Sequence, residues 1–184
     1  MVWMLSSSML NNTRLEGKGM DLKKAFGVAM KGEIEGRELY RAAADRTNDK
    51  KAKEVFMYLA EEEDRHFETL KAMYNSYSSE GKLKIPEMPR IVRFDDASSP
   101  IFSRDFKKRI GEKHFEMSAL SLALRLENDS VQYYAKMAKE SDNSGLKDFF
   151  NRLSQWEKDH YDAIYAEISY LEDEYYAENH FAPF

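Results

Sequence analysis

The chain has 184 residues, 42% of them hydrophobic and 33% charged, with 8 Gly, 4 Pro, no Cys and a formal net charge of −5. That length accommodates one domain with a substantial core, and so little Gly and Pro favours long helices over a sheet-rich fold. Acidic and basic residues are interspersed without a basic block, which argues against nucleic acid, and the lack of Cys excludes disulfides, cysteine-ligated zinc, iron–sulfur clusters and thiol nucleophiles. No apolar run approaches membrane-spanning length.

Residues 1–19 have little periodicity, two glycines and no basic region ahead of their short, Ser-interrupted apolar part. They are expected to be a flexible extension rather than a cleaved signal. Residues 20–178 are expected to form the folded domain, followed by a short aromatic tail at 179–184. The first helix is predicted from Asp21, a plausible N-cap, to about Thr47. Its apolar stripe, Leu22, Phe26, Ala29, Gly36, Tyr40 and Ala43, contains Glu33 in the middle. After a turn at Asn48-Asp49, the second helix is predicted to run to about Ser78. Phe56, Leu59, Glu63, His66, Leu70, Met73 and Tyr77 follow one another at steps of three and four, so a carboxylate and an imidazole lie one turn apart on the face that should be buried.

Ser79 to Pro100 is the least helical stretch and holds Pro86, Pro89 and Pro100. A connection this long is explained by a crossover between two parallel helices, because antiparallel neighbours need only a few residues. The third helix is predicted from near Ser103 to about Glu140, with Leu120, Leu124, Glu127, Val131, Tyr134 and Ala138 on one face. Asp142 to Gly145 reads as a turn. The fourth helix follows from Leu146 to about Ala177, with Phe149, Phe150, Leu153, Glu157, His160, Ile164 and Ile168 on its inner stripe. The expected architecture is all-α: two helical hairpins forming a four-helix bundle, up-down-down-up, with one long crossover between helices 2 and 3.

The hairpins repeat one another. Glu33 precedes Glu63 by thirty residues, as Glu127 precedes Glu157. Both Glu63 and Glu157 are followed three residues later by a His, His66 and His160, and both Glu33 and Glu127 seven residues later by a Tyr, Tyr40 and Tyr134. One Glu-x-x-His pair is an ordinary feature of helix surfaces. Two copies, each in phase with an apolar stripe and each with an upstream Glu and Tyr, point to a site. Burying an ionised carboxylate costs several kcal/mol unless it is paired, so a metal is the expected partner. Glu33, Glu63, His66, Glu127, Glu157 and His160 form a mixed oxygen and imidazole set that suits iron or manganese better than structural zinc. Four carboxylates carry about −4 and two divalent ions supply about +4, which predicts two metals. In that arrangement Glu63 and Glu157 bridge, Glu33 and His66 complete one end, and Glu127 and His160 the other. His114 and His180 fall outside the repeat and are assigned no role.

The segments Gly32-Glu33-Ile34-Glu35-Gly36-Arg37-Glu38-Leu39-Tyr40, Glu63-x-x-His66, Leu126-Glu127 with Tyr134, and Glu157-x-x-His160 resemble the rubrerythrin branch of the ferritin-like superfamily, over about Leu22 to Leu171. The resemblance implies a di-iron centre, with manganese or a mixed pair as the alternative metals, that reduces hydrogen peroxide or reacts with dioxygen in cytoplasmic oxidant defence. It also implies a homo-oligomer, a dimer, and makes Tyr40 and Tyr134 hydrogen-bond donors to the carboxylate ligands; the alternative for both is a core tyrosine. Two departures stand out. Rubrerythrins typically carry a rubredoxin-like domain with four Cys, whereas this Cys-free chain needs a separate electron-donor protein. Peroxidase members also carry a further Glu three residues after the third-helix ligand, where this chain has Ser130. Two other functions therefore stay open: a ferroxidase serving iron storage or detoxification, and a non-enzymatic bundle stabilised by its metals.

Overall fold

The computed structural model describes residues 21–48, 50–80 and 114–178. The four helices are α1 (Leu22–Arg46), α2 (Lys50–Glu80), α3 (His114–Glu140) and α4 (Ser144–Glu178). The extension at 1–19, the body of the expected crossover, the expected start of the third helix near Ser103 and the tail at 179–184 lie outside the described residues.

The helix ends follow from local chemistry. Asp21 has extended backbone angles and its Oδ1 accepts from the Lys24 N–H at 3.1 Å, satisfying one of the donors that the first turn leaves open. The Thr47 N–H closes the other end on the Ala43 carbonyl. Between α3 and α4 the cap is Asn143, whose Oδ1 accepts from Leu146 N–H at 3.0 Å. That cap starts α4 at Ser144, two residues ahead of the expected Leu146, and draws Gly145 from the turn into the first helical turn.

Two apolar layers show how the helices run. One joins Tyr40 and Ala44 of α1, Phe56 and Leu59 of α2, Leu120 and Ala123 of α3, and Ile164 and Ile168 of α4. The other joins Leu22 and Phe26 of α1, Leu70 and Met73 of α2, Tyr134 and Met137 of α3, and Phe149, Phe150 and Trp156 of α4. The start of α1, the second half of α2, the end of α3 and the start of α4 thus share one end of the bundle. The order is up-down-down-up, and α2 ends where α3 does not begin. This is an all-α, ferritin-like four-helix bundle, with no strand among the described residues. The hairpins meet chiefly through antiparallel α1 and α3, where the Tyr133 hydroxyl donates to the Ala25 carbonyl at 2.9 Å and the Arg46 guanidinium lies 4.7 Å from the centre of the Phe115 ring.

Phe26, Phe56, Phe149, Phe150 and Trp156 are essentially fully buried. Each such side chain contributes roughly 2 kcal/mol on burial. That is smaller than the cost of an unpaired buried ion, so the charged layer held between these two apolar layers requires compensation of its own. No described helix is long and apolar enough to cross a membrane.

Candidate metal centre

Each helix carries one glutamate into the layer between the two apolar clusters. Glu33 lies one turn beyond Ala29 on α1, Glu63 one turn beyond Leu59 on α2, Glu127 one turn beyond Ala123 on α3, and Glu157 one turn beyond Leu153 on α4. The helical period that buries these apolar neighbours buries the carboxylates with them. All four glutamates, His66 and His160 are at most 4% exposed.

The structure brings the six together as two overlapping groups. Glu33, Glu63, His66 and Glu157 each offer an atom within 4.8 Å of the others, as do Glu63, Glu127, Glu157 and His160. Glu63 and Glu157 belong to both groups and sit in the middle. The imidazoles turn Nδ1 inward: His66 Nδ1 is 3.2 Å from Glu33 Oε2, 2.9 Å from Glu157 Oε1 and 3.8 Å from Glu63 Oε2. His160 Nδ1 is 3.7 Å from Glu63 Oε1 and 3.6 Å from Glu127 Oε2. The two rings stack with centres 5.4 Å apart.

Tyr40 and Tyr134 are both 1% exposed, and each reaches across to the opposite hairpin. The Tyr40 hydroxyl donates to Glu127 and the Tyr134 hydroxyl to Glu33. Neither bonds the glutamate of its own helix, because antiparallel α1 and α3 place position 40 beside 127 and position 134 beside 33. Burial, and then the carboxylates at Glu127 for Tyr40 and Glu33 for Tyr134, hold both phenols well above their ordinary range, so they remain donors.

The charges sort by position. Burial raises Glu63 and Glu157 well above the ordinary carboxylate range, and the surrounding carboxylates push them further up. Burial acts in the same direction on Glu33 and Glu127, but His66 at Glu33 and His160 at Glu127, together with the bonds from Tyr134 and Tyr40 and from the central carboxylates, leave both below their ordinary value. Burial lowers His160, but the negative charge of Glu127, joined by Glu63, overcomes it and holds the imidazole up at about 9. The two central carboxylates therefore take up protons when no cation sits between them.

Three features beyond the repeat shape the layer. Gly36 faces Glu63: a Cβ there would stand 3.3 Å from Glu63 Cδ, a tight approach that only a glycine avoids. Glu62 is 4% exposed, ion-paired with Arg65, and within 4.8 Å of a nitrogen of both His66 and His160. Trp156 packs its ring edgewise on His66, centre to centre 4.2 Å. The one signal that pointed to Glu62 was its spacing, four residues before His66 on the same helix. Behind Glu63, Asp64 accepts from Arg37 at 2.8 Å and Arg41 at 2.7 Å, tying α1 to α2 through a partly exposed network that contributes little to stability. His114 opens α3, and His180 lies outside the described residues. A groove of about 240 Å³ between α1 and α3 is lined in part by Ala29, Gly32, Ser130 and Tyr134.

The donor set fits a pair of hard, divalent transition-metal ions. Glu157 Oε1 and His160 Nδ1 are buried without an aligned hydrogen-bond partner although both point into the layer. Four carboxylates packed together repel unless protons or cations separate them, and oxygen-rich sites with one imidazole per ion suit iron or manganese. The bundle and this layer define the class: a ferritin-like di-iron protein. The sequence model of the rubrerythrin family matches residues 24–168. The chain belongs to the rubrerythrin family, and the match covers its ferritin-like di-iron domain. A solved structure described as a hypothetical protein from Pyrococcus furiosus is similar, with a TM-score of 0.59 and 23% sequence identity over 84% of this chain and 92% of that one. At that identity the likeness speaks for the fold alone. No curated protein matches the chain.

Proposed function

We propose that this di-iron protein is an oxidoreductase that reduces hydrogen peroxide, with Glu33, Glu63, His66, Glu127, Glu157 and His160 as the ligands of its two iron ions. The observation that carries the reading is the pair of overlapping donor groups sharing Glu63 and Glu157. Bound there, two ferrous ions supply one electron each, the two electrons that convert one peroxide and two protons into two waters. The protein's part is to hold charge and protons in place. Glu63 and Glu157, shared by both donor groups, would adjust to the change in charge during the reaction. Tyr40 and Tyr134 fix the outer carboxylates by donating to Glu127 and Glu33. The groove between α1 and α3 gives a small oxidant an approach toward Tyr134.

Because the chain has no Cys, it has no thiolate-held iron of its own, and the reading includes a separate electron-donor protein. It also includes a cytoplasmic homodimer. Stopped-flow mixing of the anaerobically reduced protein with peroxide tests the activity: oxidation much faster than by air-saturated buffer is expected, and equal or slower oxidation overturns it.

Ser130 favours a second reading. It stands where the resemblance gives peroxidase members of the family a further Glu, and without that carboxylate the same six residues would serve a ferroxidase that passes Fe³⁺ on. Turnover of many Fe²⁺ per chain under dioxygen would select this reading, and uptake that stops at about two per chain would remove it.

A further inference from the structure

The groove of about 240 Å³ between α1 and α3 runs in to Ala29, one turn before Glu33, and to Tyr134, whose hydroxyl donates to that same glutamate; both are buried. Small residues keep it open from both sides. Gly32 lies in one wall, where a Cβ would meet nothing within 4 Å, and Ser130 lies in the other. The space is far larger than hydrogen peroxide needs. A water takes up about 30 Å³ in the liquid, and an apolar cavity of about 150 Å³ holds one benzene. A molecule of about ten heavy atoms therefore fits the groove, whereas the two oxygens of hydrogen peroxide leave most of it to water.

The lining sets the chemistry of that molecule. Val28, Ala29, Leu126 and the Tyr133 ring present hydrocarbon, and Val28, 47% exposed, carries it out to the mouth. The exposed rim has Lys31, paired with Glu35 at 2.8 Å, and Asp129. One cation beside two carboxylates leaves the rim negative, which disfavours an anion and admits a neutral molecule. We infer that the groove is the pocket for small neutral organic hydroperoxides, R–O–O–H, with the alkyl group along Val28 and Leu126 and the O–O end toward Glu33. The inference rests on the peroxide reading above and names its substrate class. The reaction balances as it does for hydrogen peroxide: the O–O bond breaks, two ferrous ions are oxidised by one electron each, and with two protons the products are R–O–H and water. Gly32 and Ser130 are then the residues that determine specificity.

Two measurements on the full chain test this. In the first, tert-butyl alcohol, the product of tert-butyl hydroperoxide, is titrated into the metal-free protein and followed by amide NMR. Saturable shifts at Gly32 and Ser130 are expected, lost in Gly32→Leu and kept in Gly27→Leu, which makes the same change on α1 outside the groove. In the second, the anaerobically reduced protein is mixed in stopped flow with hydrogen peroxide or tert-butyl hydroperoxide. Both should oxidise wild type faster than air-saturated buffer does, and Gly32→Leu should lower the rate with tert-butyl hydroperoxide, relative to hydrogen peroxide, by about tenfold or more. Ser130→Leu fills the groove from α3 and should do the same, which keeps the test decisive if the Gly32 variant fails to fold. Absence of saturable alcohol binding, or a rate ratio unchanged in both leucine variants, overturns the inference. Rapid oxidation by hydrogen peroxide with none by tert-butyl hydroperoxide also overturns it and leaves the peroxide reading standing. Hydrogen peroxide that does not outpace air overturns the peroxide reading, and the inference with it.

Discussion

Tyr134, on the second hairpin, donates its hydroxyl to Glu33 on the first, and Tyr40 returns the same bond to Glu127. Each outer carboxylate of the layer is thus held by the hairpin that does not carry it. The site and the joint between the hairpins are therefore one structure, and a change at either tyrosine is felt in both.

Tyr134→Phe removes the donor while keeping the ring that stacks on Phe150, so the cost is that of a buried carboxylate left short of a hydrogen bond, about 1–3 kcal/mol. Tyr40→Phe should cost a similar amount at Glu127. Thermal melts should show a drop of several degrees for each. Uptake of about two irons should persist, because neither phenol is a ligand in the six-residue reading, while oxidation by peroxide slows. Loss of the metal itself would make the tyrosines more than hydrogen-bond donors.

The two kinds of carboxylate should separate on substitution. Glu63→Gln removes a group common to both donor sets, so bound iron, measured per chain after anaerobic loading and desalting, should fall toward zero. Glu33→Gln touches one set, and about half the iron should stay. The metal-free proteins should show a different trend. Burial and the neighbouring carboxylates oppose the charge of Glu63, so its replacement by a neutral amide should leave the metal-free melting temperature unchanged or raise it by a few degrees.

The metal-free protein should lose stability as pH rises. His160 has its folded value raised from 6.5 to about 9, so its stabilising contribution is complete below about 6.5 and disappears as pH passes through 9; it is on the order of 3 kcal/mol. Glu63 and Glu157, also raised in the fold, act in the same direction from the ordinary carboxylate range upward. Glu33 and Glu127, lowered in the fold, contribute above that range and lose their contribution as pH falls through it. Melting curves of the metal-free protein should therefore peak in mildly acidic solution and decline toward about pH 9. With Fe²⁺ or Mn²⁺ bound the alkaline decline should vanish or reverse, since binding expels these protons. A metal-free protein that gains stability up to about pH 9 would contradict the charge arrangement.

Three glycines of α1 form a graded test. A methyl group at Gly27 or Gly32 meets nothing within 4 Å, so Gly27→Ala, at an exposed position, should stabilise the helix by up to about 1 kcal/mol. At Gly36 the same methyl meets the Glu63 side chain at 3.3 Å. Gly36→Ala gains the same helix propensity but displaces a central carboxylate. The carboxylate has to shift by a few tenths of an ångström, so metal binding should weaken while the metal-free protein melts within a few degrees of wild type. Chelator competition beside melting curves distinguishes the two effects.

The four glutamates and two histidines were legible because a 3.6-residue period fixes phase: a charge in line with Phe56 and Leu59, or with Phe150 and Leu153, has to be buried whatever the helix packs against. The order of the helices was legible from the repeat and from the length of the proline-containing connection. What depends on neighbouring helices was not legible. The crossing of the tyrosine bonds requires α1 to lie antiparallel to α3. The need for glycine at position 36 depends on where the Glu63 side chain turns. Glu62 flanks its stripe rather than lying within it, and it is buried only because α4 brings His160 against that flank. The start of α4 moved to Ser144 because Asn143 competes for the capping role with its neighbours in the turn, and periodicity does not rank such residues.

Each hairpin carries three of the six residues proposed as ligands, and each needs the other's tyrosine to hold its outer glutamate. Neither half of the chain contains a finished site. On that proposal, tight uptake of two ions would require docked hairpins, and iron content per chain would count correctly assembled molecules. A preparation in which the helices have formed but the halves have not come together would keep its helical circular dichroism and lose its metal.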